Sequence, residues 1–454
     1  MNRRAFLLST ISSVALSSQF ARAVTVNNTK KNLSEFFKNQ NSKKILIPPG
    51  DYYFDGTSIN IDSMSEIIFS DGANIYIDAH KSNRSAAIFN IAGAKNIQIS
   101  GGNFIAEDDL IVVVQCVDYV ENITVKKIKC IGCRILSSKM TQRYSDILIE
   151  RISQDINVLS CSANAKQIKT NHACIELSYI NGGRCGNNII SAFYHGIMFW
   201  GGDSNPVKDG EPHNERKCTA LVINNNIIRD VRLGGIWGSM GERVSITANY
   251  VENGGDVGID FEGCNNSIAK NNIVKNFKHG CLATFFICNN IIFKNNLALN
   301  SGLYGKSIAA IFNASQKPLN KNINFIGNVF VSEGLISYFK QNGATDYLNV
   351  RNNYFGNVIV DFTSNNNGDI DISDNKFKYD TIIDKMASTI RVGNVKKASA
   401  SIKIANNTFI NIPSENFKAI QFFRIEPNKR LSVKTNNNVL NNVLINKDQI
   451  SYQN

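Results

Sequence analysis

The chain has 454 residues, with 49 Lys and Arg against 37 Asp and Glu and a formal net charge of +12. A basic balance favours an anionic partner, but its aromatic residues are not interleaved with basic clusters as a nucleic-acid stacking platform requires, which argues against nucleic acid. Ten cysteines in so long a chain fall short of the density of a disulfide-stapled miniprotein, leaving room for one or two disulfides.

The chain opens with Arg3 and Arg4, an uncharged run from Ala5 to Phe20, and Ala21-Arg22-Ala23. A positive start, an apolar stretch and a small-x-small site make residues 1–23 a removable export signal. The paired arginines before Ala5-Phe6-Leu7-Leu8 resemble a twin-arginine signal, which implies a periplasmic or secreted protein. No later run is long and apolar enough for stable membrane insertion. A short helix is expected at Leu33-Ser34-Glu35-Phe36-Phe37. A strand and rigid turn follow in Ile45-Leu46-Ile47-Pro48-Pro49-Gly50-Asp51-Tyr52.

From Val222 onwards a short strand signal recurs, each time ending in asparagine. The marker positions are Asn226, Asn249, Asn272, Asn296, Asn328, Asn353, Asn375, Asn407 and Asn438, with steps of 23, 23, 24, 32, 25, 22, 32 and 31 residues. Such a period marks a solenoid. No coil of this length buries its apolar face alone, so neighbouring coils stack and pair their strands in parallel. Asparagine tolerates left-handed backbone, and asparagines stacked at one corner are expected to bond to one another. Residues 24–454 are therefore read as a single all-β domain, a right-handed parallel β-helix with a short N-terminal capping helix. An inserted loop is expected at about 201–217.

The helix, the Pro48-Pro49-Gly50-Asp51-Tyr52 turn and the early coil from Asn96 to Gly102 resemble the entry to pectate-lyase-like right-handed β-helices. The resemblance implies the fold over nearly the whole mature chain. It implies little about chemistry, because lyases, hydrolases, epimerases, tailspike depolymerases and non-catalytic binders share it.

Overlaying coils indicates which side chains share a face. Gly196, Gly235, Gly258 and Gly280 are aligned, each opening a short strand. Alternation then sends Ile197, Phe199, Ile236, Ile259, Phe261, Cys281 and Ala283 inward. Met198, Trp200, Trp237, Ser239, Asp260, Glu262, Leu282 and Thr284 point outward. Both tryptophans thus lie beside two carboxylates, and sugar rings stack on indoles while their hydroxyls seek carboxylates.

Glycoside hydrolysis needs one protonated carboxyl as acid and a second as base or nucleophile. A separation of about 5–5.5 Å implies retention and about 6.5–9.5 Å inversion. Two residues along a strand span roughly 6.5–7 Å, which favours inversion. Glu262 is assigned as acid and Asp260 as base, with Asp256 at the preceding turn as a third member. Trp200, Trp237, His195, Asp203, Arg232, Arg243 and His279 are the expected substrate-binding residues. His195 and His279 appear as a matched pair, each directly before an aligned glycine. Arg232 and Arg243, with Arg229, are placed to neutralise a uronate or sulfate, although arginines often simply solvate a flank.

The leading expectation is an endo-acting glycoside hydrolase of an acidic polysaccharide, without a cofactor. The second is a polysaccharide lyase, in which Asp256, Asp260 and Glu262 would bind Ca²⁺ through oxygen and His195 or Arg232 would act as base. The third is a non-catalytic carbohydrate-binding envelope protein. A homo-oligomer is compatible with each. Cys130 and Cys133 have CxxC spacing but lack a partner motif and a thioredoxin-like context, which argues against zinc or redox chemistry. Cys174 and Cys281, on strand-like runs, read instead as small buried hydrophobes.

Overall fold

The computed structural model describes residues 30–77, 87–143, 146–203, 215–301, 306–312, 320–343, 345–364, 368–380, 388–393, 400–411, 418–423, 432–441, 443–445 and 450–453. The expected export signal and most of the expected loop, residues 204–214, lie outside these.

Short strands rich in Ile, Val and Phe alternate with turns built from Asn, Gly and Asp, and each strand pairs with its counterpart one coil away. The coil with strands Asn265–Lys270, Ile273–Phe277 and Gly280–Phe285 stacks on the next, with Asn289–Lys294, Leu297–Asn300 and Ser307–Phe312. Three long parallel sheets result. The sheet that carries Gly280–Phe285 contains 15 strands. Among the described residues the one antiparallel pair is Val439–Leu440 with Val443–Leu444. No described helix is long and apolar enough to cross a membrane.

The helix Leu33–Lys38 is capped by Asn32, whose side chain accepts from the Glu35 N–H. It packs Phe37 against Phe89 and Phe36 against Tyr52. The following turn runs from strand Lys44–Ile47 into strand Gly50–Phe54.

Inside the solenoid, like side chains stack in register. Phe330, Phe355, Phe377 and Phe409 form one run, with ring centroids 5.2, 4.8 and 5.1 Å apart. At one corner the asparagines form a ladder. Asn226 Nδ2 donates to Asn249 Oδ1, Asn249 to Asn272, Asn272 to Asn296 and Asn296 to Asn328, at 2.9–3.0 Å. The run continues through Asn353, Asn375 and Asn407 to Asn438, and it starts one coil earlier than the sequence repeat, at Asn188. Each backbone N–H also donates to the next Oδ1, as from Asn249 to Asn272. Positive φ falls on the residue before the ladder position, for example Asn225, Ala248 and Asn271. Consecutive asparagines therefore divide the labour, one bending the chain and the other carrying the ladder.

All ten cysteines are buried and free. Burial pushes the thiols of Cys116, Cys218, Cys281 and Cys288 up to about 12. They act as small core hydrophobes, as expected of Cys174 and Cys281.

Candidate functional site

The outer surface of the 15-stranded sheet collects the candidate residues. Strand His195–Trp200 pairs with Ile236–Ser239, placing Met198 opposite Trp237 and Trp200 opposite Ser239. The next strand, Val257–Glu262, puts Ile259 opposite Ile236 and Glu262 opposite Ser239. Met198, Trp200, Trp237 and Glu262 are half-buried on the outer face. The two indoles lie 5.4 Å apart, and His195 stacks on Trp237 at 5.3 Å with an 18° interplanar angle.

One coil further on, the register differs from the glycine alignment. Asp260 pairs with Ala283 and Glu262 with Phe285, while Gly280 pairs with Val257. Leu282 and Thr284 are therefore inward and fully buried, opposite Ile259 and Phe261. Ala283 belongs to the outer face, with Val257 and Ala310 under Phe285 and Phe312. The physical reason lies in the glycines. A Cβ on Gly196 would meet the Gly235 carbonyl oxygen at 2.6 Å, and one on Gly235 the Gly258 oxygen at 2.6 Å. A Cβ on Gly258, however, would meet the Cys281 oxygen at 2.7 Å. The column of close approach ends at Cys281, and Gly280 serves a positive-φ turn instead, with φ of 141°.

The same one-residue difference separates the supposed histidine pair. His195 Nδ1 accepts from the Gly234 N–H at 3.1 Å, so the neutral imidazole carries its proton on Nε2. Burial lowers the His195 pKa against the opposing pull of Asp256. His279 Nδ1 instead lies 2.9 Å from Asp256 Oδ1, and both groups are exposed. Asp256 thus orients an imidazole at the sheet edge.

Asp260 points to the outer face yet is only 3% exposed. Its Oδ1 accepts from the Gly238 N–H at 3.3 Å. Burial, then the neighbouring carboxylates Glu262 and Asp256, push its pKa well above the carboxylate range. Ser239 is buried as well, its hydroxyl donating to the Gly202 carbonyl where the chain leaves the sheet. Asp203 lies at that departure point and is half-buried.

The expected arginines are dispersed. Arg232 sits over the Tyr194 ring, 5.5 Å from its centroid, beside the histidine edge. Arg229 lies over Tyr250 on another sheet. Arg243 follows Gly241–Glu242 on the third sheet and pairs with Glu242 at 3.3 Å. The structure therefore removes Arg243 from this face. Among the described residues no group of three or more His, Cys, Asp or Glu is placed to hold a metal ion. Asp256, Asp260 and Glu262 accordingly do not form the expected Ca²⁺ set, because the first is engaged by His279 and the second is enclosed.

A cluster absent from the sequence reading lies on the preceding coil. Glu176, opposite Met198, is bonded to Arg134, His172 and Ser137. Its signal was available: the Ile175-to-Ile197 step is one coil, so the overlay reaches Glu176 when extended backwards.

This architecture is a parallel β-helix, the fold that the resemblance to pectate-lyase-like proteins implies. Residues 126–334 match the model of the family described as "Periplasmic copper-binding protein (NosD)". No curated protein matches the chain. Among solved structures, tailspike protein 3 of bacteriophage CBA120 is 12% identical, with a TM-score of 0.45 over 76% of this chain and 58% of that one. A double mutant of the periplasmic alginate epimerase AlgG is 10% identical, with a TM-score of 0.44 over 90% of this chain and 83% of that one. The GH87 α-1,3-glucanase catalytic unit from Streptomyces thermodiastaticus is 14% identical, with a TM-score of 0.46 over 76% and 63%. The chain thus spans less than two thirds of the tailspike and glucanase chains.

Proposed function

We propose that the chain binds and cleaves a polysaccharide on this face as an endo-acting glycoside hydrolase, with Asp260 as acid and Glu262 as base. The observation that carries the reading is the enclosed Asp260 carboxyl beside half-buried Glu262, on a face that bears both indoles. A buried carboxyl next to another carboxylate stays protonated and donates to the leaving oxygen, whereas its more solvated neighbour stays ionised and activates water. The sequence-based roles of the two are therefore exchanged. Their i,i+2 placement suits a water between them and inversion. Trp237, Trp200 and His195 supply the platform, with Arg232, Asp203 and His279 at its margins.

Asp260→Asn and Glu262→Gln are each expected to lower cleavage about 10²- to 10⁴-fold with glycan binding retained. New reducing ends without ultraviolet-absorbing unsaturated products identify hydrolysis. Equal loss of binding and cleavage in a folded variant overturns the roles.

One observation favours a lyase as the second reading: the carboxylate-bound imidazole of His279 is the arrangement that makes a base. Unsaturated products, lost in His279→Ala, would establish it. We also infer export from the leader, in keeping with the periplasmic family that matches residues 126–334. The residues after the leader form one domain whose first coil is closed by helix Leu33–Lys38.

A further inference from the structure

The Glu176 cluster lies three inter-strand steps from Asp260, through Met198 and Trp237. At about 4.8 Å per step that is about 14 Å, well outside the hydrogen-bond reach that proton transfer at the same bond requires. A glycan lying over Trp237 would nonetheless cross both centres.

Glu176 is 5% exposed, and both of its carboxylate oxygens are bonded. Oε2 accepts from Ser137 Oγ at 2.9 Å and from Arg134 Nη1 at 3.3 Å. Oε1 meets His172 Nδ1 at 2.7 Å and the Ala173 N–H at 3.3 Å. Burial would raise its pKa, but His172 and Arg134 together outweigh burial and hold the carboxyl ionised. With its oxygens so occupied, Glu176 positions its neighbours and does not touch a substrate. Arg134 is equally enclosed, its Nε donating to the Asp109 carbonyl. The Asp109 carboxylate is itself satisfied by the Lys169 and Thr170 N–H groups and the Thr170 hydroxyl.

Arg134 and Glu176 neutralise each other in the interior, leaving His172 as the part that reaches the surface. Its side chain is 56% exposed, and the Nδ1 contact to Glu176 turns Nε2 outward. A protonated imidazole there is the one charge of the cluster that is presented at the surface, and Glu176 and Arg134 fix its position from below.

We propose that His172, positioned by Glu176 and Arg134, is a distal subsite that binds an acidic substituent borne by the glycan, such as a uronate carboxylate. The proposal rests on the polysaccharide reading above and adds the class of sugar. The full chain is run by affinity electrophoresis in mildly acidic, low-salt gels containing polygalacturonate, alginate, or the same polymers with their carboxyl groups reduced to alcohols. The native protein is expected to be retarded more by a charged polymer than by its reduced form. His172→Gln is expected to weaken binding to the charged form about three- to fivefold, as suits a partly exposed charge, with the reduced form bound as before. Glu176→Gln should give the same loss; if it fails to fold, the exposed His172→Gln variant decides alone. An unchanged charged-to-reduced ratio in His172→Gln overturns the proposal, as does an equal loss for both polymers. Displacement by free galacturonate at the polymer's uronate concentration would assign the site to a free acid and overturn it as well. Loss of binding to both polymers in Trp237→Ala sustains the broader reading even where the subsite fails. No retardation of the native protein by any probe overturns that reading and the subsite together.

Discussion

Asp260 pairs with Ala283 across the parallel ladder. A methyl group on one side and the strand bearing Trp237 on the other leave the carboxyl the Gly238 N–H, and little water. A carboxyl so placed is costly to ionise, and that cost is measurable without knowing the substrate.

The pKa of Asp260 is raised on folding, so between its unfolded and folded values the native state binds more protons than the unfolded state. Stability in that window falls as pH rises, by up to about 1.4 kcal/mol per pH unit. Asp260→Asn removes the titration while keeping the shape. The variant is expected to gain on the native protein steadily as pH is raised from about 4, in urea unfolding midpoints at a series of pH values. Parallel midpoint curves for the two proteins would show that Asp260 is not enclosed.

Gly258 marks the end of the close-packed column. A Cβ there would lie 2.2 Å from Val274 Cγ1 and 2.7 Å from the Cys281 oxygen, so neither side chain nor backbone has room. Gly258→Ala is expected to cost about 1–3 kcal/mol through overpacking. Gly280→Ala meets no atom closer than 3.7 Å, and its cost comes from the strained φ of 141° alone. Denaturant titration of the two variants separates these causes. A stable Gly258→Ala would place the glycine column in the wrong register.

The ladder asparagines are buried polar groups with every bond made. Asn272 accepts from the Asn249 backbone and side chain and donates to Asn296 Oδ1 and the Ile246 carbonyl. Asn272→Ala would break all four of these bonds in a buried corner and take from the Asn249 N–H its acceptor, at a cost of about 2–4 kcal/mol. Asn438→Ala, at the last rung, should cost less, since among the described residues its Nδ2 donates to the Ile404 carbonyl and to no further asparagine. Thermal or urea unfolding of both variants tests the difference.

The buried thiols should be inert in the folded protein, because enclosure keeps reagent away and burial raises the pKa of thiols such as Cys116, Cys218 and Cys288. Incubation with iodoacetamide at mildly alkaline pH is expected to modify none of the ten cysteines until denaturant is added, when all ten react. Rapid labelling of Cys130 or Cys133 in the native state would contradict their burial.

The coil repeat was legible because the corner requirement recurs locally. Each coil needs a residue that accepts positive φ and an amide that reaches the next coil, and Asn-Asn supplies both. The alternation that sends Trp237, Asp260 and Glu262 outward was legible for the same reason, as strand pleating is a property of two neighbouring residues. What failed was the join between coils. Reading Gly280 as the fourth aligned glycine shortened the turn to 22 residues, after the 23 between Gly235 and Gly258. The backbone instead keeps the 23-residue step, pairing Ile259 with Leu282, which turns Leu282 and Thr284 inward and separates the two histidines.

The sequence by itself determined the solenoid, its asparagine corner and the face on which the indoles and carboxylates meet, since each follows from local chemistry repeated at a near-constant period. Only the tertiary structure decided that Asp260 is enclosed and Glu262 less so, that Asp256 holds His279, and that Arg134, Glu176 and His172 converge. Those depend on which side chain covers which across neighbouring coils. A single residue's shift in register changes every such pairing while leaving the repeat itself intact.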